Sequence, residues 1–127
     1  MQYALLIYSS AQARAEAGVD TSVTDDSVFG DWMAYTQALK SAGALVALQR
    51  LQDVETATSV RVRDGERLLT DGPFSETKEQ LLSFYRIEVA ELDAALDWAA
   101  CMPHVRHGTV EVRPVQPTPT RAALAAE

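Results

Sequence analysis

Tyr3-Ala4-Leu5-Leu6-Ile7-Tyr8 is a short, almost wholly apolar run closed by Ser9-Ser10, with the length and composition of a β-strand. Side chains alternate along a strand, so Tyr3, Leu5 and Ile7 point one way and Ala4, Leu6 and Tyr8 the other; both faces of the sheet need cover. Downstream, residues 9–23 are small and polar with Gly18 and read as a loop or a frayed turn. From Thr24 the period becomes helical, with Val28, Phe29, Trp32, Met33, Thr36 and Leu39 on one face. Asp25 and Asp26 suit the start of that helix and Gly43 the residue after its end.

Residues 44–48 return to strand composition, and Thr58-Ser59-Val60-Arg61-Val62-Arg63 alternates polar and apolar with period two. Asp64-Gly65 follows at once. A type I′ turn needs positive φ at both central positions, and this dipeptide accepts it, so residues 66–70 are expected to return as the second strand of a hairpin. Residues 82–89 alternate again, setting Tyr85, Ile87 and Val89 against Phe84, Arg86 and Glu88. Leu92, Ala95, Leu96 and Ala99 mark a second helix that must stop before Pro103. Gly108 introduces a last strand over 109–115. The remainder, residues 116–127, with two prolines and an alanine-rich end, reads as a C-terminal extension to a domain of residues 1–115.

The order is strand, helix, strand, hairpin, helix, strand: an α+β, ferredoxin-like βαββαβ plan with an added hairpin and an antiparallel sheet. Right-handed crossovers put both helices on the same face of the sheet. The other face is then bare although Ala4, Leu6 and Tyr8 lie on it, and a second copy packed sheet to sheet is its simplest cover. A homodimer is therefore expected.

Composition narrows the function classes. The chain has 127 residues, 47% hydrophobic and 23% charged, ordinary values for one globular domain. Its net charge of −7 repels phosphate backbones, and its basic residues form no run, so nucleic acid is not expected as a partner. No apolar run reaches the ~20 residues of a membrane helix, and no basic stretch precedes the first strand; a cytoplasmic location and no membrane partner are the expectation. The single cysteine, Cys101, leaves neither an internal disulfide nor a cysteine-based zinc site.

The stretch Thr70-Asp71-Gly72-Pro73-Phe74-Ser75-Glu76-Thr77-Lys78-Glu79-Gln80-Leu81 resembles the DGPF signature of the YCII-related proteins, also called the DGPF domain family. Met1-Gln2-Tyr3-Ala4-Leu5-Leu6-Ile7-Tyr8, Ala57-Thr58-Ser59-Val60-Arg61-Val62-Arg63-Asp64-Gly65 and Arg106-His107-Gly108-Thr109-Val110-Glu111-Val112-Arg113-Pro114-Val115 extend the resemblance to nearly the whole chain up to Val115. The resemblance implies a ferredoxin-like fold that dimerises through its sheets, kinship to dimeric α/β barrel enzymes such as muconolactone isomerase, and no established reaction and no cofactor. Many members lie beside genes for extracytoplasmic-function sigma factors. Members commonly carry glycine around the positions of Leu48, Gln49, Leu82 and Ser83, so side chains here fill space that relatives leave open.

Candidate chemistry gathers at loops beside strand ends. Asp71-Gly72-Pro73-Phe74 reads equally as a turn anchored by Phe74 and as a site in which Asp71 fixes the tautomer of His107, freeing the other ring nitrogen as a general base. Tyr8, Trp32, Phe74, Lys78 and Glu79 are candidates to line the cleft. Arg113 is a candidate for an anionic ligand, or for an ion pair with a neighbouring carboxylate on the solvent face. His104 and His107 lack further ligands at metal spacing, so no metal is expected. Ser75-Glu76-Thr77-Lys78 matches a bare S-x-x-K pattern, but Thr77-Lys78-Glu79-Gln80 reads better as a capping box opening a single helical turn. Three classes stay open: an isomerase or lyase using Asp71 and His107 on a small metabolite, a noncatalytic small-molecule-binding protein, and a regulatory partner of a sigma factor.

Overall fold

The computed structural model describes residues 1–16, 26–73 and 78–117. Six strands are described, β1 (Gln2–Ser9), β2 (Leu45–Arg50), β3 (Thr58–Arg63), β4 (Glu66–Asp71), β5 (Gln80–Glu88) and β6 (Gly108–Pro114), with helices α1 (Ala11–Glu16), α2 (Asp26–Ser41) and α3 (Leu92–Ala100). The main sheet has the order β2-β5-β1-β6, with every pair antiparallel. Setting the hairpin aside, this is the strand order of the ferredoxin-like plan. Strands β3 and β4 form a separate two-stranded sheet, inserted in the chain between β2 and β5.

Along β1 burial alternates without a break: Tyr3, Leu5, Ile7 and Ser9 are buried and Gln2, Ala4, Leu6 and Tyr8 are half-exposed. Tyr85 and Ile87 of β5 continue the buried face, and Val110 and Val112 of β6 pack against it. Helix α2 covers that face with Tyr35 and Leu39, and α3 with Ala95 and Ala99. The Tyr35 ring meets Tyr85 edge-on at 5.7 Å and Trp98 at 6.0 Å, joining both helices and the sheet. The Tyr35 hydroxyl donates to the Trp98 carbonyl at 2.8 Å, and Thr36 Oγ1 lies 2.8 Å from the Tyr85 hydroxyl. Burial pushes the Tyr35 hydroxyl far above the ordinary tyrosine range, with Tyr85 and Cys101 adding to the rise. Burial also raises Tyr85, while the Thr36 hydrogen bond and Arg50 pull it back.

Several expectations need correcting at the level of single residues. Residues 11–16 form α1 and not a loop, because Ser10 Oγ accepts the Ala13 N–H at 2.9 Å as an N-cap. On α2, Trp32, Thr36 and Leu39 face inward as read, but Met33 is exposed and Tyr35 is buried instead; the side chains of Val28 and Phe29 lie outside the described set, as do Gly18, Thr24 and Asp25. On α3 the buried stripe is Ala95, Ala99 and Trp98, with Leu92 and Leu96 exposed. The helix meets the core through its two alanines and Trp98, which leaves the two leucines on its exposed side. The helical turn expected at the 77–80 capping box is not formed at its described end, where Gln80 opens β5 and pairs with Ser9. Ser75, Glu76 and Thr77 fall outside the described residues. The prediction of a hairpin at Asp64-Gly65 holds in detail: φ is 53° and 79° at the two positions, the positive pair that a type I′ turn demands.

Candidate functional site

A cleft of about 530 Å3 opens at the end of the main sheet where β1 finishes and β5 begins. Its floor is Tyr8 and Leu81, which pair across the two strands. The β1–β5 register shifts between Ile7 and Tyr8, and an irregularity of this kind re-aims the side chain that follows it. One wall is the connection after β2, with Leu51, Val54 and Ala57 toward the space. This connection is pinned at its start by the Leu51 N–H bond to the Leu82 carbonyl at 2.9 Å. It turns through a 3-10 segment over Val54–Thr56, where the Asp53 carbonyl accepts both the Thr56 N–H and its hydroxyl.

Pro73 also lines the cleft, and the turn before it explains its position. The Gly72 N–H donates to the Ala57 carbonyl at 2.7 Å, and the Gly72 carbonyl accepts the Ser59 hydroxyl at 2.9 Å. Two bonds thus clamp the Asp-Gly-Pro turn to the root of the hairpin and hold the proline ring against the cleft. The lining is dominated by apolar surface, and its acidic groups among the described residues are the carboxylates of Asp53 and Glu79, both exposed. Glu79 accepts a hydrogen bond from Thr109 Oγ1 at 3.3 Å. A half-open apolar cavity with two acids at its edge suits a small, largely apolar molecule bearing a donor or a positive group.

Of the residues singled out from the sequence, Tyr8 lines this cleft. Phe74 lies outside the described residues. Asp71 ends β4, opposite Thr58, and is exposed. His107 is half-buried at the head of β6; its carbonyl accepts the Ser9 hydroxyl at 3.2 Å, and its ring stands 6.1 Å from that of His104. Neither Asp71 nor His107 is among the described lining residues; Asp71 ends a strand of the hairpin sheet, and His107 stands just before β6 of the main sheet. Each nevertheless adjoins the cleft along the chain: Pro73 follows Asp71 by two positions, and Thr109, paired with Tyr8, follows His107 by two. Gly108 makes that junction possible, since a Cβ there would overlap the Tyr8 carbonyl oxygen.

Lys78 is exposed just before β5. Trp32 sits on the helix-covered side with the Arg50 guanidinium 5.3 Å above its ring. Arg113 donates twice to Glu111, at 3.0 and 3.1 Å, on the open face of β6, which is the ion-pair alternative of the two read from sequence. Leu48 and Ser83, at positions where relatives are expected to carry glycine, pack into the body rather than the cleft. Among the described residues no group of three or more His, Cys, Asp or Glu could hold a metal ion, and no helix is long and apolar enough to cross a membrane. The sequence reading missed the 51–57 wall; Glu79, read beside Lys78 as able to face the cleft, is among its lining residues. Residues 51–57 offer no residue type that signals chemistry; their role depends on long-range contacts to β5 and the hairpin root.

Comparison with known proteins agrees with this architecture. An uncharacterised protein of Rhizobium meliloti (strain 1021) is 38% identical over 117 residues, covering 91% of this chain and 92% of the relative. The profile of the YCII-related domain matches residues 1–119, and the chain belongs to the YCII-related domain family.

Proposed function

We propose that this protein binds a small, mainly apolar molecule in the cleft between Tyr8, Leu81, Pro73 and the 51–57 connection, as a homodimer paired through the open face of its main sheet. The observation that carries the reading is the cleft itself: about 530 Å3, inside the roughly 300–1,000 Å3 usual for small-molecule sites. It is lined by apolar side chains from four separate chain segments, with Asp53 and Glu79 as polar anchors. A chain of net charge −7 disfavours strongly anionic ligands and favours neutral or cationic ones. Ligand-detected NMR with a panel of small amines, alcohols and carboxylic acids tests this. Binders are expected among the first two groups, and Leu81→Trp, which fills the cleft, is expected to weaken them by about tenfold or more. Unchanged affinity in that variant, with its fold intact, sinks the reading.

The second reading is proton transfer by Asp71 and His107 on the bound molecule, as an isomerase or lyase. What favours it is adjacency: each residue stands two positions from a residue of the cleft or its rim, Pro73 or Thr109. His107→Ala separates the readings, because an enzyme loses turnover while keeping its ligand, whereas a binding protein changes in neither respect.

A further inference from the structure

Hairpin β3–β4 stands away from the body of the molecule. Every residue from Val60 to Asp71 is exposed, and Val60, Val62 and Leu69 keep 58%, 58% and 62% of their accessible surface. The register places these three on one face, with Val60 directly opposite Leu69 and Val62 opposite Arg67. Leu68, on the other face, is exposed as well. A lone two-stranded hairpin is marginally stable in water, and one that also presents a contiguous apolar face to solvent lacks the packing that would hold it.

We infer that the hairpin is an intermolecular arm, which each copy lays with its Val60, Val62 and Leu69 face against the other copy of the chain. The inference rests on the sheet pairing proposed above and identifies what completes it. Four strands spaced about 4.8 Å apart and rising about 3.3 Å per residue over some seven residues give an open face of roughly 400 Å2 in projection. A stable interface buries about 800 Å2 on each partner. Accessible area on a side-chain-covered face exceeds its projection, so the main sheet supplies a large part of such an interface, and an element beside it widens the seal.

Position makes the hairpin the element that widens it. It is inserted between β2 and β5, which are neighbours in the main sheet. Its root, at Ala57 and Pro73, borders the same cleft as Tyr8 and Leu81, and Tyr8 belongs to the open face. A copy packed on that face therefore lies beside the arm, whose six-residue strands reach about 20 Å. Charge fits as well. Within residues 58–71, Arg61, Arg63 and Arg67 balance Asp64, Glu66 and Asp71, so the full −7 resides on the rest of the chain. A neutral arm docks on an acidic copy without adding to the repulsion between them.

The test compares the unmodified protein with V60E/V62E and with Leu6→Arg on the open face, by sedimentation equilibrium, with circular dichroism as the check on folding. The arm is supported if the unmodified chain is a dimer and V60E/V62E dissociates about 100-fold more readily. Dimerisation of V60E/V62E at unchanged affinity, while Leu6→Arg dissociates, overturns the arm and leaves the sheet pairing standing. A monomeric unmodified chain overturns both. Should V60E/V62E fail to fold, hydrogen exchange of the unmodified protein decides: hairpin amides must exchange about tenfold faster or more on dilution below the dimer dissociation constant. Rates independent of concentration reject the arm.

Discussion

Strands β1 and β3 both alternate residue by residue, yet Tyr3, Leu5 and Ile7 of the first are buried beneath α2 and α3, while Val60 and Val62 of the second stand in solvent. Leu68 and Leu69 of β4 are no less apolar than Leu5, and they too are exposed. The contrast teaches that period two specifies a strand and its two faces, while the cover over a face comes from elsewhere in the fold. For the main sheet the cover is visible: Tyr35, Leu39, Ala95, Ala99 and Met102 close over one side. The hairpin has no such lid within its own chain among the described residues. On the arm proposed above, its side chains would bear on association, where those of β1 bear on folding.

Truncation is the most direct way to break that distinction. Leu5 is fully buried, between Tyr85 and Val112 on the flanking strands, and Leu5→Ala is expected to cost about 2–5 kcal/mol through lost transfer energy and the cavity left behind. Val60→Ala, studied at concentrations low enough to keep the chain monomeric, is expected to change stability by less than about 0.5 kcal/mol. Urea midpoints on the two variants check the pair. Similar losses would mean that the hairpin is packed in solution and that the comparison is mistaken.

The same contrast explains how much was legible in the sequence. Features fixed by a few adjacent residues could be read: the alternation of β1, the Asp64-Gly65 turn, the stop before Pro103. Features fixed by distant partners could not. Tyr35 is buried because the Trp98 carbonyl accepts its hydroxyl, and nothing local distinguishes it from the exposed Met33. Leu92 and Leu96 share the apolar character of the inner face of α3, but Ala95 and Ala99 are the residues buried against the core. The 77–80 capping box lost to the pairing of Gln80 with Ser9. At the cleft, Tyr8 was legible as the end of an apolar strand. Asp53 and Val54 were not, because the β2–β3 connection is placed by its bonds to β5 and by the Gly72 clamp at the hairpin root. Asp71 and His107 were read as a pair from their positions at strand ends; the strands concerned lie in different sheets, a distinction no local pattern carries.

A second effect appears only in alkali and belongs to the covered face alone. With the Tyr35 hydroxyl raised mainly by burial, the folded chain keeps that proton at pH values where the unfolded chain, titrating near the ordinary ~10, has lost it. The contribution is complete below the unfolded value and disappears as pH climbs above it. Stability is therefore expected to decline from about pH 10 upward, and Tyr35→Phe is expected to flatten that decline. A denaturation series across this range that is identical for the two proteins would show that the Tyr35 hydroxyl is not protected.

Backbone strain sharpens the comparison from the hairpin side. Gly65 has φ of 79°, and Gly65→Ala forces an L-residue into the left-handed region at a cost of about 1 kcal/mol. Because the hairpin is not welded to the core, the cost is expected to fall there: its amides exchange about fivefold faster, while the global midpoint stays in place. A matching drop in global stability would reveal that hairpin and sheet unfold together.

The smallest expected effect tests the open face. One Arg113 guanidinium nitrogen reaches both Glu111 carboxylate oxygens there, the nearer at 3.0 Å, and both side chains are substantially exposed. Solvent screening and side-chain entropy leave such a pair worth less than about 0.5 kcal/mol, so in the isolated chain Arg113→Ala is expected to be nearly silent. If this face is sealed against a second copy, the outcome changes. Removing Arg113 would then leave Glu111 facing an interface without its partner, a penalty felt in dimer dissociation rather than in unfolding. Measuring both quantities on this variant asks whether the open face of β6 is wet, as the covered face is not, or is covered in its turn by another molecule.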